Sequence, residues 1–198
     1  MIMDFRNKTP KRRANHKTET DYHKYKDDLR KDFNYRCGYC DDHDFFRSTD
    51  YQIDHFVPKT QLKTINLTDY SNLVYSCRSC NRHKWNKWPT GIESISNDGQ
   101  KGFIDPCDSE YDKQFSRNKR GEIVPITPLG VWMWKALNLG NPAHSLVWKL
   151  EKIHKKITEL QTIIATYPEN ADDYKKLSSL FDSFMFFLEQ QRGGKPIF

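Results

Sequence analysis

Two stretches near the C-terminal end of the chain carry apolar residues at alternating steps of four and three. Leu146, Leu150, Ile153, Ile157, Leu160 and Ile164 form the first, which follows the start signal Asn141-Pro142 and ends at Tyr167-Pro168. Tyr174, Leu177, Phe181, Phe184 and Leu188 form the second, which opens near Asn170 and is broken by "GGKPIF". This spacing predicts two amphipathic helices joined by a short turn, an antiparallel hairpin. Such stripes ordinarily bury against each other or against the domain. The run Phe184, Met185, Phe186, Phe187 and Leu188 is more apolar than one seam requires, which leaves room for a partner surface.

Upstream the pattern changes. Thr127-Pro128 opens a helix that fills residues 130–139 and stops at Gly140. Tyr22, Tyr25 and Leu29 share one face of a helix predicted from Thr18 to Asn34, with Thr18 as its cap. Between them "YQIDHF" and "NLVYS" read as two strands, and a short helix follows them through Lys84 and Trp85. The stretch "WPTGIESISNDGQKG" is rich in turn residues, and "FIDPCDSEYDKQFSRNKRGEIVPIT" predicts short strands and loops packed on the core. Residues 1–17 carry Arg6, Lys8, Lys11, Arg12, Arg13 and Lys17 with little to bury, so a flexible basic arm is expected there. The expected organisation is an arm over 1–17, a core over 18–105, and a mixed linker with the helical hairpin over 106–198.

The 198 residues hold 32 Lys+Arg against 26 Asp+Glu, a net charge of +6 and a pI near 9.0, which suits an anionic partner. No apolar run approaches the roughly 18 residues needed to span a bilayer, and the N-terminal residues lack the apolar stretch of a signal peptide. A cytoplasmic protein without a membrane partner is expected. Cysteines in that compartment stay reduced, so paired spacings point to metal before disulfides.

Cys37-Gly38-Tyr39-Cys40 and Cys77-Arg78-Ser79-Cys80 are two such pairs, with 36 residues between them. Four thiolates close a tetrahedral zinc site, and the two-residue spacer lets each pair offer both sulfurs to one ion. His43 follows Cys40 too closely to be the better ligand. Cys107 stands alone and reads as a small, half-buried residue.

What lies between the pairs changes the picture. The order is Cys-x-x-Cys, Asp54-His55, Asn72, Cys-x-x-Cys, Asn81, and then Lys84. This order resembles the HNH endonucleases, the ββα-metal nucleases, in their four-cysteine zinc form. The resemblance covers about residues 35–88 and implies an α+β fold: a small ββα-metal core with a zinc knuckle, extended here by C-terminal α-helices. It also implies hydrolysis of phosphodiester bonds in DNA. His55 becomes the general base, since an imidazole with a pKa near ~6.5 is neutral at cellular pH. Asp54 becomes a ligand of a catalytic Mg²⁺ or Mn²⁺, with Asn81 as the second ligand or His83 as the alternative. Asn72 takes the family's middle position, where it bonds to backbone across the loop and fixes the histidine. Lys59, Arg78, Arg82, Lys84 and Lys87, together with Trp85 and Trp88, surround this core and are candidates to hold the phosphate backbone.

The layout after the core resembles, more loosely, small HNH effectors of bacterial antiphage systems. Septu-type and retron-associated nucleases of this kind work with an ATPase partner, which the C-terminal helices would then bind. Two readings from other classes compete with the nuclease: a zinc-ribbon module that binds nucleic acid without catalysis, and an adaptor whose main product is the helical hairpin. Neither needs Asp54, His55 and Asn81 together.

Overall fold

The computed structural model describes residues 3–47, 49–167 and 170–193. Pro168 and residues 194–198, read above as breakers, lie outside them.

A two-stranded antiparallel hairpin and one short helix form the centre. Strand β2, Tyr51–His55, pairs with β3, Leu73–Cys77, so that His55 lies opposite Leu73 and Tyr51 opposite Cys77. Every residue of β3 is buried, as in a strand covered on both faces. Helix α2, Arg78–Lys84, starts directly from β3, with the Cys77 sulfur accepting from the amide of Cys80 as its cap. The helix ends one residue short of Trp85, which was expected inside it.

The predicted first helix is shorter than its pattern. Asp21, rather than Thr18, caps a 3-10 turn over Tyr22–Tyr25, and α1 runs only over Lys26–Asp32. Asn34 and Tyr35 then adopt left-handed backbone and turn the chain into the first cysteine pair. Beyond the centre, the one-turn α3, Ser109–Asp112, leads to an antiparallel sheet of three short strands: β1 (Met3–Asp4), β4 (Phe115–Arg117) and β5 (Ile123–Pro125), with β4 in the middle. Helix α4, Pro128–Ala136, begins where Thr127 caps Gly130.

The arm expected to be loose is pinned. Arg6 is buried, donates to the carbonyls of Gly38 (3.1 Å) and Pro106 (2.6 Å), and pairs with Asp112. Arg12 donates to the Leu73 carbonyl at 2.8 Å and to both oxygens of Asp105, and Arg13 bridges Asp28 and Asp32. Its three arginines are spent on carboxylates and carbonyls of the fold, which sequence-local reading does not reveal. One core runs from Phe5 through Leu29, Tyr70, Leu73 and Phe103 to Met133 and Leu139, so the boundary expected at 105/106 falls inside it.

Helices α5, Pro142–Thr166, and α6, Ala171–Gln191, pack along each other as the predicted hairpin, capped by Asn141 and Asn170. Leu150, Ile157 and Ile164 are buried as their spacing requires. The second stripe is shifted: Tyr174 and Phe181 are exposed, while Phe184, Phe187 and Leu188 pack on Phe46, Val147 and Leu150. Among the described residues no helix is long and apolar enough to cross a membrane.

Candidate active site

The four knuckle cysteines converge. Cys37 and Cys40 follow α1, Cys77 closes β3 and Cys80 lies in the first turn of α2; their sulfurs all lie within 4.8 Å of one another and all four residues are buried. Cys40 and Cys77 sulfurs stand 3.8 Å apart, close to the separation that two ~2.3 Å bonds at a tetrahedral angle produce. The set therefore fits a tetrahedral thiophilic ion. Burial pushes the Cys40 thiol up, and the facing thiols push it further, so a cation is what allows four thiolates to share the space. His43 lies outside the set, its ring nitrogen accepting from the Phe45 amide.

This cluster braces the Tyr51/Cys77 end of the hairpin, and the opposite end, which residues 56–72 connect, carries Asp54 and His55. Both line a cleft of about 710 Å³ that is also lined by Tyr22, Pro58, Lys59 and Thr60, by Arg78, Asn81 and Arg82 of α2, and by Trp85 just beyond the helix. His55 is buried to 4% exposure, and its Nε2 lies 2.8 Å from the Leu67 carbonyl oxygen. A carbonyl only accepts, so Nε2 carries the proton and Nδ1 keeps a lone pair. Burial holds the His55 pKa below its ordinary value. Tyr22 sets its ring edge-on at 4.7 Å, and Lys59 lies 4.4 Å above the same Tyr22 ring.

Asp54 is also buried. Its Oδ2 accepts from the Tyr39 hydroxyl at 2.5 Å and pairs with Lys84 at 3.0 Å, while Oδ1 accepts no hydrogen bond from the described residues. Burial pushes the carboxyl up from its usual range, against the pull of Lys84 and Tyr39. Asn81 donates Nδ2 to the Gln52 side chain at 2.8 Å, which leaves its amide oxygen as a second acceptor in the cleft. His83 turns away: its Nδ1 donates to the Ser79 carbonyl, and it is not among the residues that line the cleft. Two oxygen donors, one of them a carboxylate, are a set that suits a hard divalent cation.

Asn72 sits immediately before β3 and holds Val57 with both ends of its amide. Oδ1 accepts from the Val57 amide at 2.8 Å and Nδ2 donates to the Val57 carbonyl at 3.2 Å, while its own carbonyl accepts from Phe56. The chain leaving His55 is thereby fixed.

The cationic residues divide. Lys59, Arg78 and Arg82 are exposed on the cleft walls. Lys84 does not belong with them: it is fully buried between Asp54 and the His55 carbonyl, beside the Phe103 ring, and reaches no phosphate. Lys87 is exposed but donates to the carbonyls of His83 and Ala136, away from the cleft. Trp88 is a core residue, edge-on to Phe56 and stacked over Phe103. Tyr22, Tyr39 and the Leu67 carbonyl are the site groups that the motif does not name. Tyr22 was visible only as one residue of a helical stripe, and nothing in the sequence brings Leu67 to His55.

A ββα unit braced by four cysteines carries an imidazole and a carboxylate at the connected end of its hairpin, and residues 37–87 match the family model "HNH endonuclease". That segment is about a quarter of the chain. Over 102 residues the chain is 36% identical to Septu protein PtuB of Bacillus mycoides (strain KBAB4), a match that takes in 40% of this chain and 32% of the relative. The matched stretch thus spans about a third of that relative's length. No solved structure matches the chain.

Proposed function

We propose that the protein is a metal-dependent endonuclease that hydrolyses phosphodiester bonds in DNA, with His55 as general base. The observation that carries this reading is that one cleft is lined by His55, Asp54 and Asn81 together with Lys59, Arg78 and Arg82, while the Leu67 carbonyl leaves His55 Nδ1 its lone pair. Nδ1 takes a proton from a water whose oxygen attacks the phosphorus; the P–O bond opposite breaks, leaving one phosphate and one hydroxyl end. Lys59, Arg78 and Arg82 hold the flanking phosphates, and Asn72 and Leu67 fix the base. Asp54 and Asn81 would hold a Mg²⁺ or Mn²⁺, which would supply positive charge for the scissile phosphate and the leaving oxygen. Zn²⁺ on the four cysteines is structural.

The similarity to Septu protein PtuB supports a place in an antiphage system. In such a system the nuclease is restrained by an ATPase partner, which binds through the C-terminal helices, and the protein works in the cytoplasm.

The test is cleavage of plasmid DNA by purified protein, wild type beside His55→Ala, in EDTA and then with Mg²⁺ or Mn²⁺ restored. The expected result is metal-dependent cutting by the wild type and a loss of several orders of magnitude in the variant. Cleavage that survives His55→Ala overturns the assignment. Tight binding without any cleavage favours the non-catalytic zinc module.

A further inference from the structure

Trp85 lines the cleft in a backbone position that resists it. It leaves α2 with φ 48° and ψ −134°, and the amide of Lys87 donates to the carbonyl of Lys84 at 3.0 Å, closing a tight turn around it. Those angles belong to the first central position of a type II′ turn, where glycine is at ease and a residue with a bulky β-carbon is strained. Packing does not offset the strain, because 70% of the Trp85 surface is exposed. The large ring is held out in solvent by an unfavourable backbone, on the wall of the very cleft that contains His55.

Its neighbours are matched to a nucleotide. Arg78, Asn81 and Arg82 follow at steps of three and one, which places them on one face of α2, and Trp85, in the turn that follows, lines the same cleft. Two guanidinium groups for phosphates therefore precede one aromatic plane, the combination with which proteins hold unpaired strands. A ring buried in a closed duplex offers no such plane a partner, whereas a base released from its pair does.

We propose that Trp85 is a stacking platform for an unpaired nucleobase next to the scissile phosphate, so that the site prefers single-stranded, gapped or frayed nucleic acid over a closed duplex. The proposal rests on the nuclease reading of the cleft, but the stacking contact can be measured without cutting.

The experiment uses the full-length His55→Ala protein in Ca²⁺-free buffer without added Mg²⁺. Fluorescence anisotropy is read with a labelled thymidine 12-mer, its uridine counterpart and a blunt duplex of equal length. Trp85→Gly, which relieves the backbone, should weaken strand binding by about five- to a hundredfold, and Trp85→Phe should restore most of it. The salt slope of strand binding should stay unchanged in Trp85→Gly, because stacking releases no counterions, whereas Arg82→Ala should flatten it. Thermal stability of Trp85→Gly should equal or exceed that of its parent. Strand binding should also quench tryptophan emission in the His55→Ala protein and not in its Trp85→Phe derivative, a readout independent of how the glycine variant folds. Equal binding of the strand by Trp85→Gly and its parent overturns the proposal, as does a loss of the same size on strand and duplex. Comparison of the thymidine and uridine strands shows which nucleic acid supplies the base. Failure of the nuclease reading shows separately, as absence of cleavage by the wild type.

Discussion

The Lys84 ammonium, with none of its surface exposed, lies 3.0 Å from Asp54 Oδ2 and 2.7 Å from the carbonyl oxygen of His55. One buried cation thus ties together the two adjacent residues of the site, neutralising the side chain of the first and fixing the backbone of the second. Lys84→Met leaves Asp54 buried without its cation, and breaking a buried pair in this way costs about 3–5 kcal/mol. Urea denaturation checks the loss of stability. Burial already raises the Asp54 carboxyl, and loss of Lys84 raises it further, so any cleavage that remains should need a higher pH. A variant with wild-type stability and an unchanged acid limb would show that the pair is incidental.

Lys84 also marks what the sequence conceals. The cysteine pairs, Asp54-His55, Asn72 and Asn81 are legible because their chemistry lies in residue type and order. Lys84 follows Arg78 and Arg82 on a basic helix and reads like them. It shares Asp54 Oδ2 with Tyr39 and lies against Phe103, residues that approach from before and after the hairpin. Arg6, Arg12 and Arg13 read as a solvated arm for the same reason, since their acidic partners lie 15 to 106 positions away. The phase of α6 was misread because Tyr174 and Phe181 continue an apolar stripe that the hairpin leaves in solvent. Hydrophobic spacing fixes that a face exists, whereas the crossing of two helices decides which part of it is covered.

Asn72 is a second point of dependence. Asn72→Ala leaves the amide and carbonyl of Val57 without their partners in a buried setting, at about 1–3 kcal/mol for each group left unsatisfied. The expected result is a lower urea midpoint together with slower cleavage at saturating substrate, because the chain that leaves His55 loses its anchor. Slower cleavage with unchanged stability would place Asn72 in the chemistry itself.

The imidazole is held from further away. Glu93 is an exposed carboxylate that accepts from the amides of Lys63, Thr64 and Ile65 and from the Thr64 hydroxyl, and these bonds bring its pKa down to about 2. The clamped loop continues to Leu67, whose carbonyl sets the His55 tautomer. Because the folded pKa is depressed, the stabilisation is present above the unfolded value of 4.5 and is lost as pH falls from there toward 2. Glu93→Ala should remove this acid-side sensitivity and reduce cleavage at neutral pH. Burial also lowers the His55 pKa, so in the wild type the acid limb of kcat/KM should fall below 6.5, the ordinary imidazole value.

One lysine of this basic stretch should behave differently from the arginines near it. Arg78 and Arg82 line the cleft, so each change to Ala should reduce the slope of log affinity against log salt on duplex DNA by about 0.9. Lys87 is committed to the carbonyls of His83 and Ala136, and Lys87→Ala should leave that slope unchanged while lowering thermal stability modestly. Equal slopes for all three variants would mean that the phosphates run over another surface.

Metal removal should proceed in two stages, because the two donor sets differ in depth and softness. Oxygen donors that line a solvent-filled cleft exchange a divalent cation quickly, so brief EDTA treatment should stop cleavage, and Mg²⁺ should restore it fully. The thiolates are buried on every side, with Gly38 bonded to Tyr75 and Tyr39 to Tyr111 across the cluster, so zinc should leave only with local unfolding. Elemental analysis should therefore find one zinc per chain after the brief treatment and none after long exposure to a stronger chelator. That second loss should melt the core, since structural zinc supplies on the order of 10–16 kcal/mol in small peptides. Helices α5 and α6 hold no knuckle cysteine, so part of the helical circular dichroism should outlast the zinc. Cys80→Ala should resemble the zinc-free protein from the outset, and retention of one zinc by that variant would remove the four-sulfur site from the account.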